Sequence, residues 1–164
     1  MLRITGAVLV IFAGSMIGFL KSDGLLKRAR LLGKIITGMN LLKAQIGYGR
    51  TNLRDALLSV GRSQDIEFFS KTAEFMGDKG IKDAVLEAIE SCGEHLKAED
   101  KEPIIALAEN LGMTDAKTQE SAIETAVITL AVEKNQADED YARLGKMYRS
   151  IGVLGGILGA ILFI

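Results

Sequence analysis

Two charge-free apolar runs flank a chain whose middle repeats apolar positions with the period of a helix. Residues 4–20 read ITGAVLVIFAGSMIGFL, and residues 151–164 read IGVLGGILGAILFI. A helix rises about 1.5 Å per residue, so the first run, lengthened by Met1 and Leu2, covers about 30 Å, the depth of a bilayer's hydrocarbon core. The second covers only about 22 Å. It is read either as a span that thins the bilayer or as a segment lying partly in the interface, with spanning favoured by its continuation from a long helix. The first run also has two readings, an uncleaved anchor or a signal peptide cut near Ala13-Gly14-Ser15. Apolar residues continue past that point through Met16, Ile17, Phe19 and Leu20, and a basic cluster follows at once, which favours the anchor.

Between the runs the pattern predicts helices only. Leu32, Ile35, Met39, Leu42 and Ile46 recur at steps of three and four, marking an amphipathic helix over about residues 24–46 that is capped at Ser22 or Asp23, or runs straight on from the first apolar run. Gly47-Tyr48-Gly49 stops it. Thr51 or Asn52 caps a short helix ended by Gly61, and residues 63–65 open another that closes at Gly77. A turn at residues 78–80 leads to a helix with Ala84, Val85, Ala88, Ile89 and Cys92 inward. Residues 98–103 start the next, with Pro103 in its first turn, and Gly112 ends it. Thr114 or Asp115 caps the longest helix. Its seam of Ile123, Val127, Leu130, Lys134, Ala137, Tyr141, Leu144 and Tyr148 steps four and three without a slip. The expected fold is all-α: an antiparallel bundle of about six helices flanked by N- and C-terminal transmembrane helices. Its domains are 1–21 as the first membrane helix, 22–149 as a cytoplasmic bundle, and 150–164 as the second membrane helix.

Net charge is −1, but its placement is uneven. Residues 21–50 hold seven bases and one acid, and residues 51–142 hold twenty acids and nine bases. Lys27, Arg28, Arg30 and Lys34 follow the first run, and Arg143, Lys146 and Arg149 precede the second, so both basic clusters adjoin the proposed bilayer surface. Basic residues beside membrane helices stay cytoplasmic, which places Met1 outside and the bundle inside. An acidic bundle argues against a nucleic-acid partner. Gly14 and Gly18 in the first run, and Gly152, Gly155, Gly156 and Gly159 in the second, fall at GxxxG spacings that let membrane helices approach closely. Glycine is also common in membrane helices generally, so the spacing alone leaves both readings open.

Little in the sequence promises chemistry. Cys92 and His95 stand three apart on one helix, but no second Cys or His completes a metal site, and no third group orients a nucleophile pair. Glu87, Glu90 and Glu94 share a helix face without a matching Glu-x-x-His and read as a solvated acidic face. The glycine-rich second run has no Lys and is no phosphate loop. No catalytic, cofactor-binding or metal-binding residue is assigned, and no cofactor or small-molecule substrate is expected. A small membrane enzyme is the weakest function; a membrane-anchored helical adaptor or sensor, or a scaffold, suits the pattern better.

Four stretches carry a resemblance across nearly the whole chain: MLRITGAVLVIFAGSMIG at the start, LLKAQIGYGRTNLRDAL (residues 41–57), EDKEPIIALAENLGMTDAKTQ (residues 99–119) and KMYRSIGVLGGILGAILFI (residues 146–164). In order and spacing they resemble the stage III sporulation protein AB family of endospore-forming bacteria, whose soluble domain is similar to platform protein F of type II secretion systems. The chain departs from the family's usual acids at Lys43 and Gln45, and from its Pro at Asn52. The resemblance implies a non-enzymatic platform or scaffold subunit of a secretion-like channel in the mother-cell membrane around the forespore. Its partners would be the lipid bilayer, a secretion-type ATPase and other channel subunits. Homo-oligomerisation is left open.

Overall fold

The computed structural model describes residues 2–48, 52–77, 79–111 and 115–163. Among them are six α-helices and no strand: α1 (Leu2–Tyr48), α2 (Leu53–Ser63), α3 (Glu67–Phe75), α4 (Ile81–Cys92), α5 (Ala98–Asn110) and α6 (Ala116–Phe163). With 47 and 48 residues, α1 and α6 are each about 70 Å long. The first apolar run and the amphipathic segment are therefore one helix, and the N-cap weighed at Ser22 or Asp23 does not exist. Among the described residues, α1 alone is long and apolar enough to cross a membrane; the charge-free part of α6 is too short to meet that measure by itself.

Among the described residues, side-chain caps open three of the six helices. The Asn52 side chain accepts the Arg54 N–H at 3.3 Å, opening α2. Asp100, fully buried, accepts the Lys97 N–H at 2.8 Å and so secures the start of its own helix, α5. Asp115 accepts both the N–H (3.2 Å) and the hydroxyl (2.8 Å) of Thr118 at the start of α6. The other cap candidates, Thr51 and Thr114, and the glycines expected to end helices at Gly49 and Gly112 lie outside the described residues.

Three boundaries differ from the sequence expectation. α2 runs through Gly61 to Ser63. Gly61 is buried against Ser70, where a Cβ would collide with the Ser70 backbone and hydroxyl, so this glycine serves close approach rather than a stop. α3 starts at Glu67, because Asp65 takes a left-handed turn conformation with φ of 51°. Pro103 lies in the second turn of α5 and not the first; it has no N–H to give to the Glu99 carbonyl.

Packing divides the chain into two compact units, Met1–Ala29 with Asn135–Ile164, and Arg30–Lys134. The second holds the conventional core. Leu32, Ile35, Met39 and Leu42 of α1, four of the five expected stripe positions, are all at most 2% exposed, and Ile46 is half-buried. They share that core with Val60, Phe69, Ala88, Ile104, Ile123 and Leu130. Each fully buried aliphatic side chain of this kind contributes about 1.5–3 kcal/mol, so the stripe outweighs any single surface ion pair. Lys43 pairs with Glu124 at 2.9 Å, and the Gln45 amide donates to the Ser59 hydroxyl at 3.2 Å. Two of the three departures from the resembled family thus have partners within this chain, and the third, Asn52, caps α2.

Candidate interhelical site

The first unit is built in the reverse order of a water-soluble helix pair. Its interior is small: Ala7, Gly18, Ser22, Gly145, Gly156 and Ala160 are buried. Its large apolar side chains point outward. Leu9, Phe12, Ile17, Leu154, Leu158 and Ile161 are all more than 60% exposed.

At four glycines the N-terminal half of α1 and the C-terminal half of α6 meet backbone to backbone. A Cβ at Gly18 would lie 2.5 Å from the Tyr148 carbonyl oxygen, and one at Gly14 would lie 2.9 Å from both the Gly152 oxygen and the Gly156 Cα. From the other side, a Cβ at Gly152 would meet the Gly14 oxygen at 2.7 Å, and one at Gly156 the Ile11 Cα at 2.9 Å. Gly159 faces the Val10 side chain at 3.0 Å, a softer neighbour. Gly155 takes no part, with open space where its Cβ would be. Residues 152, 156 and 159 share a narrow stripe, and residue 155 sits about 60° to its side. Within the chain, spacing alone did not separate Gly155 from the glycines that meet α1.

Next to the glycines lies a polar junction. The Arg149 guanidinium donates through Nε to the Ser22 hydroxyl at 2.9 Å and through Nη2 to the Tyr141 hydroxyl at 3.2 Å. It also lies 5.7 Å from the centre of the Phe19 ring and 6.0 Å from that of Tyr141, within cation–π range. Deeper along the same helices, Arg28 is 3% exposed and its Nη1 stands 3.6 Å from an Asp140 carboxylate oxygen. Ser22 and Arg149 are 127 residues apart, which is why sequence reasoning missed the pairing. A signal existed for part of it. Ser22 follows Gly14 and Gly18 at the same four-residue step, and Gly145 stands seven before Gly152.

The seven basic residues expected at the membrane surface therefore separate. Lys27, Arg30, Lys34, Arg143 and Lys146 are exposed. Lys27 pairs with Asp23 at 2.9 Å, and Lys34 donates to the Asp65 carbonyl at 3.2 Å. Arg149 is partly buried against Ser22 and Tyr141. Arg28 is a correction, since a buried guanidinium cannot lie against headgroups. It stands four residues before Leu32 and so continues the inward stripe of α1.

The remaining candidates show no reactive arrangement. The Cys92 thiol donates to the Ala88 carbonyl at 2.9 Å, and burial pushes its pKa up, away from the thiolate that nucleophilic chemistry needs. Glu87 is paired with Lys79. Among the described residues no three His, Cys, Asp or Glu side chains gather as metal ligands would.

Known proteins are similar to this chain in sequence over nearly its whole length. The sequence model described as Stage III sporulation protein AB covers residues 3–164. Stage III sporulation protein AB of Bacillus subtilis (strain 168) is 27% identical over 96% of each chain. A solved structure of Stage III sporulation protein AB, 23% identical, superposes with a TM-score of 0.62 over 70% of this chain and 96% of its own, a likeness of fold.

Proposed function

Because the chain belongs to the stage III sporulation protein AB family, we propose that it is a non-enzymatic platform subunit of a secretion-like channel. It would sit in the mother-cell membrane around the forespore, with residues 22–149 on the cytoplasmic side. The observation that carries the membrane part is the inverted first unit, with glycine inside and Phe12, Leu154 and Ile161 outside. In water this order would expose apolar surface and bury almost none. In lipid it is the favourable one, because tails solvate large apolar side chains while glycine allows close helix packing. Both runs then cross together, the second shortened and held by the first. The Arg149–Ser22–Tyr141 junction falls at the cytoplasmic end, where aromatic and cationic groups anchor membrane helices.

The platform role rests on the family together with the acidic Arg30–Lys134 unit, which suits basic partners such as a secretion-type ATPase or other channel subunits. The test is purification in mild detergent from sporulating cells. Co-purification of an ATPase or other channel subunits is expected. Repeated recovery of the protein alone would sink the platform reading in favour of an isolated adaptor.

A further inference from the structure

A groove of about 820 Å³ runs between α5 and α6, within the Arg30–Lys134 unit. On α5 its wall extends from Glu99 to Asn110, a length of about 16 Å or three helical turns. The floor is low, formed by Ala106, Ala122 and Ala126 above Leu107. Two hydroxyls along α6 are turned back onto their own helix: Thr125 donates to the Ser121 carbonyl at 3.0 Å, and Thr129 to the Thr125 carbonyl at 3.1 Å. These threonines therefore offer methyl groups to an occupant. Beside them on α6, Ile128 and Val132 are each 62% exposed, which is unusual for β-branched apolar residues outside the apolar ends.

Charge is confined to one end. Glu99 and Glu102 start the α5 wall, and Glu133 closes the α6 wall; no Lys or Arg is among the described residues lining the groove. Pro103 adds polarity there, since it gives no N–H to the Glu99 carbonyl. The opposite end, at Asn110 and Thr118, is uncharged.

We propose that this groove seats one amphipathic helix of a partner protein, small and apolar on its inner face and carrying Lys or Arg at the end that meets Glu99, Glu102 and Glu133. The length matches three turns, the low floor admits a helix backbone, and the acidic end sets the direction of the incoming helix. An anionic lipid is repelled by the same carboxylates. The proposal rests on the platform reading only for the identity of the partner, and the groove's geometry stands apart from it.

The test uses the full chain in detergent and a fluorescent, helix-stapled fifteen-residue peptide of Ala and Leu with three Lys at one end. Saturable binding is expected, weakened at least tenfold by Glu99→Lys with Glu102→Lys. Thr125→Trp fills the groove without altering charge, and it should weaken binding by a similar factor. Glu90→Lys with Glu94→Lys, on exposed positions elsewhere, should change it less than twofold. No binding, full binding to Thr125→Trp, or equal loss in the Glu90/Glu94 variant would overturn the proposal, as would a dimer of this chain that Thr125→Trp dissolves. Loss of peptide binding with retained co-purification of channel subunits removes the groove alone; the reverse pattern removes the platform reading alone.

Discussion

At the scale of single residues, charged groups carry the least obvious information. Arg28 belongs by composition to a basic cluster and by position to a buried stripe, and its burial decides between them. Its partner, the Asp140 side chain, is 26% exposed. Asp140→Ala removes one carboxylate facing this buried cation and should cost about 1–3 kcal/mol, below the cost of breaking a fully buried pair. Thermal melting in detergent checks this, and a variant as stable as the parent would contradict it. Asp115 shows the opposite situation, an exposed carboxyl set by local bonding. The Thr118 hydroxyl and N–H hold its carboxyl below the usual range, and the Lys43 ammonium does the same for Glu124. A depressed carboxyl takes up its proton more readily in the unfolded chain. The stabilisation is therefore complete above the unfolded value of about 4 and is lost as pH falls through the folded one. The part of stability that these two carboxyls supply should stay flat above pH ~5 and decline below pH ~4, and Asp115→Asn should flatten part of that decline. An unchanged slope in the variant's melting temperature against pH would rule out the Thr118 bonds as its source.

At the scale of elements, α1 and α6 change character along their lengths. Where large residues face inward, at Leu32, Ile35 and Leu130, the helices bury side chains against a core; where glycines face inward, backbones touch. Gly18→Val inserts three carbons against the Tyr148 carbonyl and should cost about 1–3 kcal/mol. For a chain of this size that is roughly a 3–10 °C fall in melting temperature. Gly155→Val, into open space, should change little. Equal effects of the two would show that helix propensity, and not contact, governs these positions. The inward stripe of α1 and the seam of α6 were legible in the sequence, because a period of 3.6 residues is written directly into apolar spacing. Gly61 was misread because glycine is silent about its reason: the same residue stops a helix or admits a neighbour.

At the scale of the whole molecule, basic residues beside the apolar ends set orientation if the chain inserts as proposed. Replacing Lys27, Arg30 and Lys34 by Glu should invert or mix the topology, seen as altered protease accessibility in sealed vesicles. Unchanged accessibility would mean that Arg143 and Lys146 suffice.

The sequence by itself determined the helical class, the two apolar ends, their basic flanks and the inward stripes, since each depends on neighbours within one or two turns. Only the tertiary structure decided that Arg149 bonds Ser22 and Tyr141, that Arg28 turns toward Asp140, and that four of six glycines form a backbone contact. It also decided that α5 and α6 part to leave a groove. The Arg28, Ser22 and glycine contacts join residues more than a hundred positions apart, and local spacing holds no term for which faces of two distant helices meet.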